Sequence, residues 1–213
     1  DLDRFVASAA TALSANQPHV MLTPGIHAAY EKGVAALAGA EGVTTVARGA
    51  EAEGVNLAQS ALFATSGEQF RTNPALSHEV FGSSSILVKC ATIEEVIATI
   101  AQMEGQLTAT LQMDESDNDN AAKLLPTLSR KVGRVLANGW PTGVEVTHAM
   151  VHGGPFPSTS DGRTTSVGTL AMMRFLRPVC YQDVVDAVLP PALQAANPWK
   201  LNRRMEGKLE LAQ

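Results

Sequence analysis

Cysteine is nearly missing from this 213-residue chain: there are two, Cys90 and Cys180, far apart in sequence. They offer neither a disulfide framework nor the paired spacing of a zinc site, and each reads as a small buried hydrophobe. Charge is also scarce, at 17% of residues. Lys and Arg nowhere gather into a stripe, so no nucleic-acid partner is expected. No apolar run approaches the ~18 residues of a membrane span. No signal-peptide pattern opens the chain, where Asp1, Asp3 and Arg4 read as a helix start instead. The expectation is a cytoplasmic protein without a membrane partner. No G-x-G-x-x-G turn, Walker-type lysine loop or G-x-S-x-G elbow is present. His148 and His152 stand four apart, but Gly153-Gly154-Pro155 argues against the helix that would aim both at one metal, so no metal site is expected.

What is present points to a folded α/β domain. Hydrophobic residues make up 45% of the chain and the formal net charge is -5, a balance that argues against disorder. The opening segment places Phe5, Val6, Ala9 and Leu13 at helical spacing. It begins without methionine and reads as part of a longer protein. A second helix is expected after Thr23, with Pro24 in its first turn and Gly39 at its end. Strands are expected in "GVTTVAR", around 60–65 and in "SSSILVKC". Thr92 then caps an amphipathic helix carrying Ile93, Val96, Ile97 and Ile100 on one face, with Glu95 three residues after the cap. "QLTATLQM" alternates as a strand, "DNDNAAKLLPTLSR" reads as helix despite Pro126, and "KVGRVLANG" reads as strand. The alternation predicts a three-layer α/β/α fold, with the strands near 84–90, 107–113 and 131–138 in one mostly parallel sheet. Further on, "SVGTLAMMRFL" reads as helix, "RPVCYQD" as an edge strand because of Pro178, and the tail as helical pieces broken by prolines.

Residues 151–168, "VHGGPFPSTSDGRTTSVG", stand apart. A loop this long in a compact domain is either functional or disordered. Glycines and prolines give it a fixed path, and Asp161-Gly162-Arg163 suggests either a local ion pair or a place in a domain interface.

Three segments in order resemble the aldehyde dehydrogenase superfamily. "SHEVFGSSSILVKCATIEEVIATI" is similar to that family's E-[IV]-F-G-P block with its following strand and helix. "QLTATLQMDESDNDNAAKL" resembles the next strand and helix, and the run from "KVGRVLANG" through "HGGPFPSTSDGRTTSVGT" resembles the family's glycine-rich loop. The variants "PTGVEV" and "HGGPFPSTSDGRTTSVGT" look most like the α-ketoglutarate semialdehyde dehydrogenase branch. The family's proline after the E-V-F-G glycine is here Ser83.

The resemblance implies the C-terminal part of an NAD(P)-dependent enzyme that oxidises an aldehyde to the acid through a cysteine thioester. It implies a catalytic-domain piece in residues 1–175 and an oligomerisation-type strand and tail in 176–213. Glu79 matches the glutamate that binds the nicotinamide ribose, and Phe81 the aromatic residue beside the cofactor. Gly82 would let the backbone pass close to the cofactor. Phe156, His152 and Arg163 are the candidates for the substrate tunnel. The family's nucleophilic cysteine, general-base glutamate and cofactor fold have no counterpart here, so no catalytic residue is assigned. The isolated chain is expected to be inactive and to hold NAD or NADP at most loosely. The implied partners are an aldehyde substrate in the full-length enzyme and a second copy of the chain, most simply as a dimer with residues 176–182 at the interface. A stand-alone, non-catalytic α/β binding or assembly module is the competing reading.

Overall fold

The computed structural model describes residues 2–212, so Asp1 and its part in the expected helix start lie outside the described residues. The chain divides into two compact units, Asp1–Ala171 and Met172–Gln213. In the first, the elements run α1 (Leu2–Ser14), β1 (His19–Val20), α2 (Pro24–Ala38), β2 (Thr44–Arg48), β3 (Leu57–Ala58), β4 (Ala61–Ser66), α3 (Gly67–Thr72), β5 (Ser84–Lys89), α4 (Ile93–Gln102), β6 (Gln106–Leu111), α5 (Asn118–Lys131) and β7 (Val132–Ala137). The architecture is α/β. Helix starts follow local chemistry: the Thr23 hydroxyl accepts from Ile26 N–H at α2, and the Thr92 hydroxyl accepts from Glu95 N–H at α4. Pro126 sits inside α5, as expected.

The parallel pairing is real but divided. β4 pairs with β5 in parallel and with β2 antiparallel, while β6 and β7 form a separate parallel ladder. The expected single sheet is thus corrected to two, since no ladder joins the 84–89 strand to those at 106–111 and 132–137. Alternation and propensity identify a strand, but they leave its neighbour open. The short β1–β3 pair, two residues a side, escaped the sequence reading because two residues carry no period.

The core gathers around β4, whose residues Ala61–Thr65 are all buried, as befits a central strand covered on both faces. Tyr30, Val34 and Leu37 of α2 meet Ala58, Ala61, Phe63, Phe70 and Leu76 there. Tyr30 and Phe63 are the fully buried large side chains. Full burial of such a ring contributes about 1.5–3 kcal/mol. Burial also pushes the Tyr30 phenol above its usual pKa. Its hydroxyl donates toward Gln59 O at 2.7 Å and Ser83 O at 3.1 Å, the carbonyls just upstream of β4 and β5.

Arg71 of α3 ties the helices below. Its guanidinium donates to Glu95 Oε1 at 3.2 Å and to Thr99 Oγ1 at 3.0 Å. The other Glu95 oxygen accepts from Ala91 N–H at 2.7 Å, so Glu95 braces the turn before its own helix. That backbone hydrogen bond above all, with the Arg71 guanidinium, holds the Glu95 carboxyl below its ordinary pKa. Cys90 is half-buried beside Thr99. Cys180 is exposed, contrary to the buried place its residue type suggested.

The C-terminal part of the chain, from residue 166 on, departs furthest from its sequence reading. The expected helix in 166–176 is a 3-10 stretch, Thr169–Phe175, ahead of Pro178. The expected strand at 177–183 is irregular. Pro178 lacks a backbone donor and no strand is paired with the segment, so alternation of Phe175, Val179 and Tyr181 yields exposure (87%, 56% and 47%) rather than a ladder. A hairpin that proline breaks concealed joins β8 (Arg203–Met205) to β9 (Lys208–Glu210). Its turn residues Glu206 and Gly207 both take positive φ, 49° and 80°, matching a two-residue primed turn. Arg203 locks the second unit, pairing with Glu210 and donating to Gln194 O and Ala195 O.

Tyr30→Phe removes the hydroxyl that donates to Gln59 O and, beside Ala61 N–H, to Ser83 O, and should lower the unfolding free energy by about 1–3 kcal/mol, read as a shifted denaturant midpoint at unchanged slope. Glu95 has a folded pKa below its ordinary 4.5, so its stabilisation is present above that value and fades as pH falls through the folded one. The stability gap between the parent and Glu95→Gln should therefore narrow as urea titrations move into that acid range.

Candidate functional site

A strap from Asn73 to Ser83 carries the most distinctive surface. It begins where α3 ends: the Asn73 side chain accepts from Ala75 N–H at 3.1 Å and starts the 3-10 turn Pro74–Ser77. Leu76 is buried and anchors the near end. At the far end Gly82 has φ +153°, and a Cβ there would lie 2.3 Å from the Tyr30 ring. The core ring beneath it is by itself enough to require glycine here. Between the anchors Glu79 is exposed and Phe81 is 68% exposed, which excludes a core role for that ring.

Glu79 lines a cleft of about 310 Å³ against Ala29, Gly33 and Ala36 of α2, and two larger clefts also share it. The first of the larger two, of about 540 Å³, runs past Phe70, Leu76, Phe81, Ile86 and Met103. The second, of about 670 Å³, is bounded by Glu104–Thr108 and, from the long loop, Pro157 and Ser158. His78 lines both. The Glu79 carboxylate has no hydrogen-bond or ion-pair partner among the described residues, so its acceptor lone pairs are available to a ligand. Two carboxylates, Glu79 and Glu104, border the second cleft. The arrangement suits a ligand that presents hydroxyl donors and an apolar ring face, as a nucleoside does.

The loop at 151–168 is ordered, and its path explains its composition. His152 N–H donates to Thr165 Oγ1 at 2.8 Å, and Ser166 N–H donates to His152 O at 3.1 Å. These bonds close the two ends into an Ω-like loop. Inside it, the Thr159 hydroxyl donates to Gly154 O and the Ser158 hydroxyl to Pro155 O. The loop lies backbone on backbone across the starts of β6 and β7: a Cβ on Gly133 would fall 2.1 Å from Gly153 O, and one on Gly105 would fall 2.4 Å from Pro155 O. The Phe156–Pro157 peptide is cis.

The sequence candidates are only partly brought together. Glu79 and Phe81 share the first cleft. Phe156 is 82% exposed, His152 is half-buried with an unpartnered Nδ1, and the Arg163 side chain is 93% exposed; none of the three lines the clefts beside Glu79. Arg163 pairs locally, its Nε 3.4 Å from Asp161 Oδ1. The Arg163 backbone N–H first, then its guanidinium and the Thr164 hydroxyl, keep the Asp161 carboxyl below its ordinary pKa. Sequence reading missed His78, Glu104 and Ser158; only the neighbourhood of His78 to Glu79 could have flagged one of them. No group of His, Cys, Asp or Glu suited to a metal occurs among the described residues. No described helix is long and apolar enough to cross a membrane.

No family profile matches the chain. Individual proteins do. The chain is 51% identical over 210 residues to alpha-ketoglutaric semialdehyde dehydrogenase 2 of Azospirillum brasilense, covering 99% of this chain and 40% of that protein. It is 45% identical over 208 residues to alpha-ketoglutaric semialdehyde dehydrogenase of Acinetobacter baylyi, covering 97% and 40%. The chain therefore spans about 40% of the length of these relatives. In fold it is similar to betaine aldehyde dehydrogenase of Staphylococcus aureus in complex with NAD+, with a TM-score of 0.65 and 15% identity over 81% of this chain and 35% of that one.

Gly133→Ala should lift the loop, because its clash is with backbone that no rotamer change relieves. Limited proteolysis should then cut faster within 152–167. Gly143→Ala, with nothing within 4 Å of the added methyl, should leave the cleavage rate at that of the parent.

Proposed function

We propose that this chain, which belongs to the aldehyde dehydrogenase superfamily, forms the C-terminal catalytic-domain part of an enzyme that oxidises α-ketoglutarate semialdehyde to the dicarboxylate with NAD or NADP. The observation that carries this reading is 51% identity sustained over 99% of the chain to a protein of that activity. The local geometry agrees with it: the family's ribose-binding glutamate corresponds to Glu79, an unpartnered carboxylate shared by three clefts.

In this reading Glu79 would hold the ribose of the coenzyme, a task for which a carboxylate has enough lone pairs to accept from two hydroxyls. Phe81 offers an apolar face next to it. The coenzyme, when bound, supplies the hydride acceptor. The chain's residues supply position: the strap sets the carboxylate, and the loop wall at Pro157 and Ser158 bounds the cleft on the far side. Phe156, His152 and Arg163 are assigned to the substrate entrance, where the Arg163 cation suits the distal carboxylate of a ketoacid semialdehyde. Neither cysteine serves as nucleophile here. Cys90 sits half-buried beside Thr99, and Cys180 lies in the tail. The thiolate that attacks the aldehyde, and the base that activates water to hydrolyse the thioester, belong to the polypeptide outside this chain. Residues 1–175 form the catalytic piece, and residues 176–213, with Val179, Tyr181, Val185 and Val188 exposed, serve self-assembly into a homo-oligomer.

The full-length protein should reduce NAD or NADP when given α-ketoglutarate semialdehyde, and absence of turnover would refute the substrate. In that protein Glu79→Gln should weaken coenzyme use by about 1–3 kcal/mol, seen as a raised coenzyme KM with or without a fall in kcat. Unchanged constants would remove Glu79 from the site and leave the substrate assignment standing.

A further inference from the structure

We infer that Gly33, on α2, outside the two larger clefts and sharing only the smaller one with Val80 and Glu79, is a positioning residue for the Glu79 carboxylate, acting through Val80. The inference rests on the Glu79 reading above. Glycine is disfavoured in the middle of a helix, yet α2 carries one at its centre. The reason lies across the contact: a Cβ on Gly33 would stand 2.8 Å from Val80 Cγ1 and 3.0 Å from Cγ2. Valine is branched at Cβ and held to few rotamers, so it cannot swing aside as a long side chain would. Val80 is packed against the core cluster and lies between Glu79 and Phe81 in sequence. Any shift of Val80 is therefore transmitted to the two residues assigned to the coenzyme.

The same helix supports the strap elsewhere. Tyr30, three residues before Gly33, lies under Gly82 and donates to Ser83 O. Leu37 joins Leu76 in the core cluster. α2 is thus a bed with three seats, and the seat nearest Glu79 is a methyl pair resting on bare helix backbone. Pushing that seat outward should displace the carboxylate while leaving both ends of the strap pinned.

The test uses the full-length protein and measures coenzyme dissociation constants by fluorescence titration alongside steady-state kinetics. Gly33→Ala should raise the coenzyme Kd about tenfold with the aldehyde KM held within about twofold, and adding Val80→Ala should bring the Kd back to within about threefold of the parent. A general loss of packing would not give that split or that rescue. If Gly33→Ala leaves the Kd unchanged while Glu79→Gln raises it, the proposal is wrong and the Glu79 reading stands. If Glu79→Gln itself has no effect, the underlying reading fails and this inference with it. If Gly33→Ala does not fold, the double variant decides: a folded protein with a restored Kd supports the dovetail, and an unfolded one overturns it. A weakening that Val80→Ala does not relieve overturns it as well.

Discussion

One hydroxyl group ties α2 to the starts of β4 and β5. The Tyr30 phenol is buried and aims at two carbonyls, Gln59 O and Ser83 O. These lie just ahead of two strands that run parallel with Ala61 opposite Ser84. Parallel strands cannot be joined by a tight turn, so their relative start has to be held by something other than the connection. Here a side chain from α2 does it, and the same ring forbids a side chain at position 82. The strap, the strand register and the helix are thus fixed by one residue. The buried donor is also costly to lose, because Gln59 O would be left without it, while Ser83 O would keep only the Ala61 N–H.

The chemistry of the clefts follows from what the strap leaves unpaired. Elsewhere in the first unit the carboxylates with lowered pKa have partners: Glu95 has Ala91 N–H and Arg71, Asp114 has the Ser116 hydroxyl and N–H, and Asp161 has Arg163 and Thr164. Glu79 has none among the described residues. With Glu104 on the rim of the second cleft, the local field disfavours a phosphate there and favours a sugar edge that brings its own donors. A ribose seated at Glu79 would be recognised by hydroxyl geometry, with its phosphates held elsewhere.

Helices and strands with clear boundaries were legible because their signals are local. Thr23 and Thr92 cap as their sequence context demands, and Pro126 is absorbed in α5. What failed was whatever depends on a neighbour. "SSSILVKC" and "QLTATLQM" were both readable as strands, yet nothing in either says that they lie in different ladders. "RPVCYQD" carries a strand's alternation, but with Pro178 in it and no adjacent strand it has nothing to bond to. The Glu206-Gly207 turn was hidden by the proline-rich context before it. For the site, the E-V-F-G block led to Glu79 and Phe81, whereas Ser158 reaches the same cleft only through the fold of a loop nearly eighty residues away. The role of Gly33 was invisible, since a lone glycine in a helix pattern shows its reason only when Val80 is seen against it.

The loop over β6 and β7 is held almost entirely by main chain. Gly105 and Gly133 meet peptide groups of residues 153–156, and the ends close through His152 and Thr165–Ser166. The outward side chains of Phe156 and Arg163 take little part in this framework. Such a loop separates shape from identity: its course survives exchange of the side chains it displays. Descendants of one scaffold can then change the size, charge or polarity presented at those positions by single substitutions, without first acquiring compensating changes that keep the loop in place. What the loop displays can therefore change by small steps, while the glycines beneath remain the positions at which change is least forgiving.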